Sequence, residues 1–261
     1  MGVGARQGAG KSRAGTSYGE GLNTAWGFPN ATGLAWVEDF ITSNVVSSRI
    51  GEQEWTVVTS AGGSVTLVSP TAATEAGLCA VRMNAPAAGA VSYIHGGAVF
   101  PVYGPPAIGT VWTTKAAPEK PSAGTHYYFW SGLISNVGTM PQGGLNVDYL
   151  GVRYDGTTGA WEGVVRNNTT ESVVSIGVVA SLVHTIMGWE RTSDGFQFFT
   201  LDCSNPRRVV RTDVGSPIAA NFPDTPLTPW IASGVPAGQS VPTGVHGIRV
   251  DWMSLGGRTA R

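Results

Sequence analysis

The side chains able to do chemistry are few and scattered. Carboxylates that alternate on one strand face can act as nucleophile and acid about 5–5.5 Å apart, the arrangement of retaining glycoside hydrolysis. Glu52 and Glu54 alternate but have no third carboxylate beside them, and adjacent Glu38 and Asp39 point to opposite faces of a strand. The remaining acids stand singly. The histidines, His95, His126, His184 and His246, have no ligand spacing and no H-E-x-x-H. Asn221-Phe-Pro-Asp224 is the nearest thing to an acidic calcium loop, and it is sparse. No G-x-S-x-G occurs. Cys79 and Cys203 lie outside any C-x-x-C and read as small buried hydrophobes, with a disulfide between them left open. Gly8-Ala-Gly-Lys-Ser12 resembles the end of a phosphate loop, but Ala5 stands where its first glycine belongs and no strand precedes it. These residues imply no enzyme, no metal and no cofactor.

Aromatic residues are the other chemical resource. Nine tryptophans are many for 261 residues. Trp36, Trp189 and Trp252 sit in alternating runs and read as core. Trp112, Trp130, Trp161 and Trp230 are candidates for exposed rings that stack on sugars.

The elements that must position these residues are strands. Residues 145–154, 160–166, 171–179, 184–191 and 195–202 alternate and are separated by turn signals. Asp155-Gly156 and Asp194-Gly195 suit two-residue turns, and Asn167-Asn168 tolerates the left-handed region. This meander is expected to form one wall of a sandwich. Its last run carries Phe196 and Phe198 on one face and Phe199 and Leu201 on the other, as in a strand covered on both sides or lining a cleft. Residues 34–40 and 247–255 are expected to pair and close the domain across the chain. Residues 55–59 and 64–68 read as a hairpin around Ala61-Gly62-Gly63. Further strands are expected at 78–83, 90–95, 98–103, 111–115 and 127–134. Two prolines make 116–124 a surface loop, and the Pro-rich, polar stretch 204–244 reads as a long excursion around one strand at 230–233.

Only 13% of residues are charged, against about 25% usually, while Gly and Pro are abundant. Such a composition suits an all-β protein with long loops or one whose surface other subunits cover. A net charge of −1 gives no drive toward nucleic acid, and no apolar run spans a membrane. The N-terminus lacks the apolar core of a secretory signal, which points to cytoplasmic synthesis and retention. Residues 1–30 are Gly-rich, without apolar periodicity, and read as an extended arm that orders on a partner. Arg6, Lys11 and Arg13 would contact that partner, and Trp26 and Phe28 would anchor the arm's near end. Residues 31–257 form the sandwich and 258–261 a short tail.

In order along the chain stand Val37-Glu-Asp-Phe40, Val99-Phe-Pro-Val102, an aromatic strand ending in Gly132-Leu133, and Gly151-Val-Arg-Tyr-Asp-Gly156. Trp161-Glu-Gly-Val-Val165, Ile186-Met-Gly-Trp-Glu-Arg191 and Ile248-Arg-Val-Asp-Trp-Met253 follow. This order resembles the concanavalin A-like lectin/glucanase jelly roll in the form found among structural proteins of tailed bacteriophages. The resemblance covers roughly residues 34–255. It implies two stacked antiparallel sheets and a role in virions or in glycan contact. Glucanases of this fold carry Glu-x-Asp-x-x-Glu or Glu-x-Asp-x-Glu on one strand, and no such run occurs here. The first expectation is therefore a non-enzymatic capsid decoration (cement) protein, assembled in the host cytoplasm into the virion. Its partners would be the major capsid protein and, as a homotrimer, copies of itself. A glycan-binding domain of a head or tail fibre is the alternative, and a glycosidase stands third.

Overall fold

The computed structural model describes residues 36–38, 40, 49–51, 55–68, 78–84, 86–96, 106, 108–141, 146–205, 208–216 and 223–256. They belong to the compact unit Ala31–Arg261; Met1–Asn30 divides off as a second unit. The described residues contain strands and no helix. In chain order these are β1 (Trp36–Glu38), β2 (Arg49–Ile50), β3 (Trp55–Val58), β4 (Gly63–Val68), β5 (Leu78–Asn84), β6 (Val91–His95), β7 (Val111–Glu119) and β8 (Tyr128–Ile134). They continue as β9 (Tyr149–Asp155), β10 (Ala160–Asn167), β11 (Thr170–Val178), β12 (Thr185–Arg191), β13 (Phe196–Asn205), β14 (Arg208–Gly215), β15 (Thr228–Gly234) and β16 (Val245–Gly256).

Two antiparallel sheets stack as a jelly-roll sandwich. Sheet I has the order β14-β13-β12-β7-β16-β5-β4, with β1 also on β16; sheet II runs β11-β10-β9-β8-β15-β6-β3-β2. The expected closure holds. Trp36 pairs with Leu255 and Glu38 with Met253, so β1 takes up the edge of β16 where β5 leaves it at Val250. The main core lies between the sheets, where Trp112, Met187, Trp189, Phe198 and Ile248 of sheet I meet Trp55, Phe129, Val152, Trp161 and Ile231 of sheet II. A second cluster lies on the outer face of sheet II. There Tyr93, Trp130, Tyr149, Val164 and Trp230 are covered in part by the β8–β9 loop through Val137 and Val147.

Several expected pairings are corrected. Residues 55–59 and 64–68 are not a hairpin: β3 pairs with β2 and β6 in sheet II, whereas β4 pairs with β5 in sheet I. The meander is not one wall. Strands β8 to β11 run side by side in sheet II, but after Val178 the chain crosses over and β12 pairs with β7. At the crossing Leu182 takes φ 63° and its N–H donates to the Pro118 carbonyl at 2.7 Å. The two Asp-Gly turns are longer than expected, with four residues between β9 and β10 and four between β12 and β13. Asp155 Oδ1 accepts the Thr157 N–H at 2.7 Å, and Gly159 takes φ 71° to close the first of them. Asn168 does take the left-handed conformation, at φ 54°.

Strand β7 runs on through Pro118 to Glu119 where a loop was expected. Its partner β12 ends opposite Ala116, so Pro118 has a ladder partner only in β16 and its missing N–H breaks no bond to β12. Strand β14 was missed because its side chains are mostly exposed and alternate weakly; it is the edge of sheet I. The residues expected to form a strand at 98–103 lie outside those described. Phe199, on the face opposite Phe198, is buried with the Arg211 guanidinium 4.3 Å above its ring, so this strand is covered on both sides. Trp252 is buried, yet a bulge sets it beside Lys115 rather than among the inter-sheet residues Val250 and Met253.

Candidate functional site

The outer face of sheet II gathers the acids and aromatics that carbohydrate chemistry would use. Cross-strand register fixes it. Trp130 of β8 lies beside Arg153 of β9, Arg153 beside Glu162 of β10, and Arg166 of β10 beside Glu171 of β11. Residues directly opposite share a face, so these side chains form one patch.

Arg153 is its centre. Its Nε and Nη2 donate to Glu162 Oε2 at 2.9 and 2.7 Å, and its Nη1 donates to Glu171 Oε1 at 2.8 Å. The guanidinium carbon stands 5.2 Å from the Trp130 ring centre and 5.5 Å from that of Tyr128. Arg166 donates to the other oxygen of Glu171 at 3.4 Å and to the Asn168 carbonyl at 3.0 Å. Burial would lower the pKa of Arg153, but Glu171 and Glu162 more than offset this and raise it, so the cation is fixed. Burial, then the charge of Asp155, pushes the Tyr128 hydroxyl up, and burial holds Tyr149 well above its ordinary value. Two acids held by one guanidinium are geometrically a clamp. Both carboxylates already have arginine donors where a sugar oxygen would have to bind.

Asp148 stands just before β9. A Glu-x-Asp-x-x-Glu run centred on it would need acids where Asn146 and Gly151 stand. Its own oxygens are used structurally. Oδ1 accepts the Asn168 N–H at 2.7 Å; Oδ2 accepts the Asp224 and Thr225 N–H groups at 3.3 and 3.2 Å and the Thr225 hydroxyl. At 1% exposure it serves as an internal staple between β9, the β10–β11 turn and the segment leading to β15.

The proposed stacking tryptophans are corrected. Trp112, Trp130, Trp161 and Trp230 are all 0–1% exposed. Trp112 stacks on Trp189 in the inter-sheet core, at 6.4 Å and 15°. Trp161 meets Tyr154 edge-on at 5.4 Å. Trp130 and Trp230 are on the outer face of sheet II, but Trp230 Nε1 donates to the Val137 carbonyl of the covering loop at 3.0 Å. Large rings bury the most apolar area, so the core takes them first. Arg6, Lys11, Arg13, Trp26, Phe28, Glu52 and Glu54 lie outside the described residues, as do Asp39 and Asn221. Cys79 is buried and Cys203 exposed, and no disulfide joins them, so the pairing left open is not made and Cys203 is no buried hydrophobe. Among the described residues no group of three or more His, Cys, Asp or Glu side chains could hold a metal.

Arg153, Glu162, Arg166, Glu171 and Asp148 were not singled out in the sequence. The signal was there in Glu162 and Arg166, charges four apart and so on one face of a strand otherwise mainly apolar.

No protein-family model matches the sequence, and no curated protein matches it. Solved structures share its fold. A protein of unknown function from Shewanella oneidensis MR-1 aligns at TM-score 0.57 and 14% identity, over 100% of this chain and 99% of its own. A glycoside hydrolase family protein from Mycobacterium thermorestibile aligns at 0.50 and 11%, over 85% and 100%. LamAcat from Zobellia galactanivorans aligns at 0.50 and 10%, over 89% and 99%. The fold is thus the concanavalin A-like jelly roll seen in glycoside hydrolases. At these identities the likeness is one of fold alone.

Proposed function

We propose that this protein is a non-enzymatic structural module built on a glucanase-type jelly roll, acting as a capsid decoration protein. One observation carries the non-enzymatic half: Glu162 and Glu171 are both held by Arg153, and the positions flanking Asp148 are Asn146 and Gly151. Retaining hydrolysis needs one free nucleophile and one proton-carrying acid on the same face. The burial of Trp112, Trp130, Trp161 and Trp230 removes those rings from sugar stacking, which weighs against an aromatic lectin platform. The structural half rests on residues 1–30, whose Gly-rich, core-free composition with Arg6, Lys11 and Arg13 suits an arm that orders on a shell of subunits. Deleting residues 1–25 should leave a folded sandwich that co-sediments with capsids much more weakly than the full chain. Wild-type occupancy by the truncated protein would overturn the shell reading.

The second reading, glycan binding, is favoured by the fold shared with glycoside hydrolases. It would work through polar and charged contacts rather than through the buried tryptophans. Screening the full chain on a glycan array separates the two.

A further inference from the structure

We propose that β11, the open edge of sheet II, joins two copies of this chain into a two-fold dimer with one continuous sheet. Among the described residues β11 pairs with β10 alone, so one side of its backbone has no strand beside it. The hairpin turn at Asn168–Thr169 closes on the directly opposed pair Asn167 and Thr170. A two-residue turn makes that pair hydrogen-bonded, and ladder bonds then alternate along the strand. Thr170, Ser172 and Val174 therefore bond to β10, while Glu171, Val173 and Ser175 turn their N–H and C=O groups outward. A bulge at Ile176 ends this regular run, since Glu162 faces Ser175 but Trp161 faces Gly177.

Proteins usually blunt such edges. Strand β2 has two residues, and β14 carries Arg211 and Asp213 and two register shifts. Strand β4 is shorter than β11 and exposes the hydroxyl residues Ser64 and Thr66. In β11 there is no Lys, Arg or Pro, and its one acid, Glu171, is already matched by Arg153 and Arg166. Of the eight large apolar side chains exposed among the described residues, four lie on β11 or just past it: Val173, Val178, Leu182 and Val183. Val173 is 42% exposed and Val178 79%.

The occupant is a second copy because this edge complements itself. Antiparallel pairing centred on Val173 sets that residue against its own counterpart and each Glu171 against a Ser175. Every outward N–H of the regular run then meets an outward carbonyl. The two Glu171 side chains end up four residues apart along the strands, roughly 13 Å, which exceeds the Debye length of ~8 Å. No like charges meet. A dissimilar partner is selected largely by complementary charge, and this edge presents no unmatched charge to select it. Two such strands with their valines cover on the order of 1,000 Å2 in total, the low end for a specific interface. The dimer should therefore assemble and dissociate with concentration. It joins copies in pairs, not in the trimer that the resemblance implied, and it stands independently of the shell and glycan readings.

Sedimentation equilibrium of the full chain over a wide concentration range tests this. Wild type should pass reversibly from monomer to dimer. Val173→Lys sets two ammonium groups face to face and should weaken dimerisation by about tenfold or more, while melting of the dilute chain stays near wild type. A cross-link reads the register. With Cys203→Ser removing the exposed thiol, Val173→Cys should form an intermolecular disulfide under mild oxidation, because directly opposed Cα atoms lie about 5.5 Å apart. Val178→Cys should not, since this pairing holds it roughly 30 Å from its counterpart. A chain monomeric at every concentration, association unchanged by Val173→Lys, or a disulfide formed as readily by Val178→Cys as by Val173→Cys would each overturn the proposal.

Discussion

Asp148 shows how a single residue can hold three segments that the sequence separates widely. It is buried and accepts N–H groups from Asn168, Asp224 and Thr225. Asp148→Ala would leave such donors without partners, at about 1–3 kcal/mol for each that stays dry. A loss of about 3–5 kcal/mol is expected in denaturant unfolding; a midpoint close to wild type would show that water replaces the carboxylate. His246 acts through its ionisation. It is fully buried, 5.7 Å from the Tyr127 ring centre and 6.3 Å from that of Phe129, and burial pushes its pKa down. Burial lowers His95 in the same direction. In the unfolded chain both titrate near ~6.5. Above that pH neither state takes a proton, and the shifts contribute nothing. Below it the unfolded chain is protonated first, so stability falls with pH until the folded-state pKa values are reached. Each group contributes up to about 1.4 kcal/mol per pH unit in that window. Melting should drop between pH 7 and pH 5 and drop less in His246→Gln; a flat profile would contradict the buried neutral imidazole.

Strands were legible as strands because alternation reports which face of a chain is buried. Alternation does not report the partner. This is why β3 and β4, joined by a tight turn at Gly62 with φ 78°, looked like a hairpin yet belong to opposite sheets. The break between β11 and β12 was hidden for the same reason: residues 179–184 contain neither Gly nor Pro. What the sheets require of each other appears at Gly163. A Cβ there would stand 2.5 Å from Phe198 Cγ of the facing sheet. Gly163→Ala should therefore cost about 1–3 kcal/mol through overpacking. Thermal melting checks it, and a neutral effect would mean that Phe198 has room to move.

For the molecule as a whole, the closed sandwich was readable from residues 34–40 and 247–255, because one clean amphipathic strand at each end implies a shared core. The candidate site was much less legible. Its members Arg153, Glu162 and Glu171 come from three strands whose neighbours only the topology fixes, and the tryptophans that drew attention are structural. Shape and chemistry thus diverge: the architecture matches glycoside hydrolases, while the acids of the sheet II face are tied to arginines. That divergence is best measured by reducing-end release from a panel of β-glucans, comparing wild type with Glu162→Gln and Glu171→Gln. Wild type should release no more sugar than either variant or buffer. Turnover by wild type that either substitution abolishes would show that the clamp opens and that the module is an enzyme.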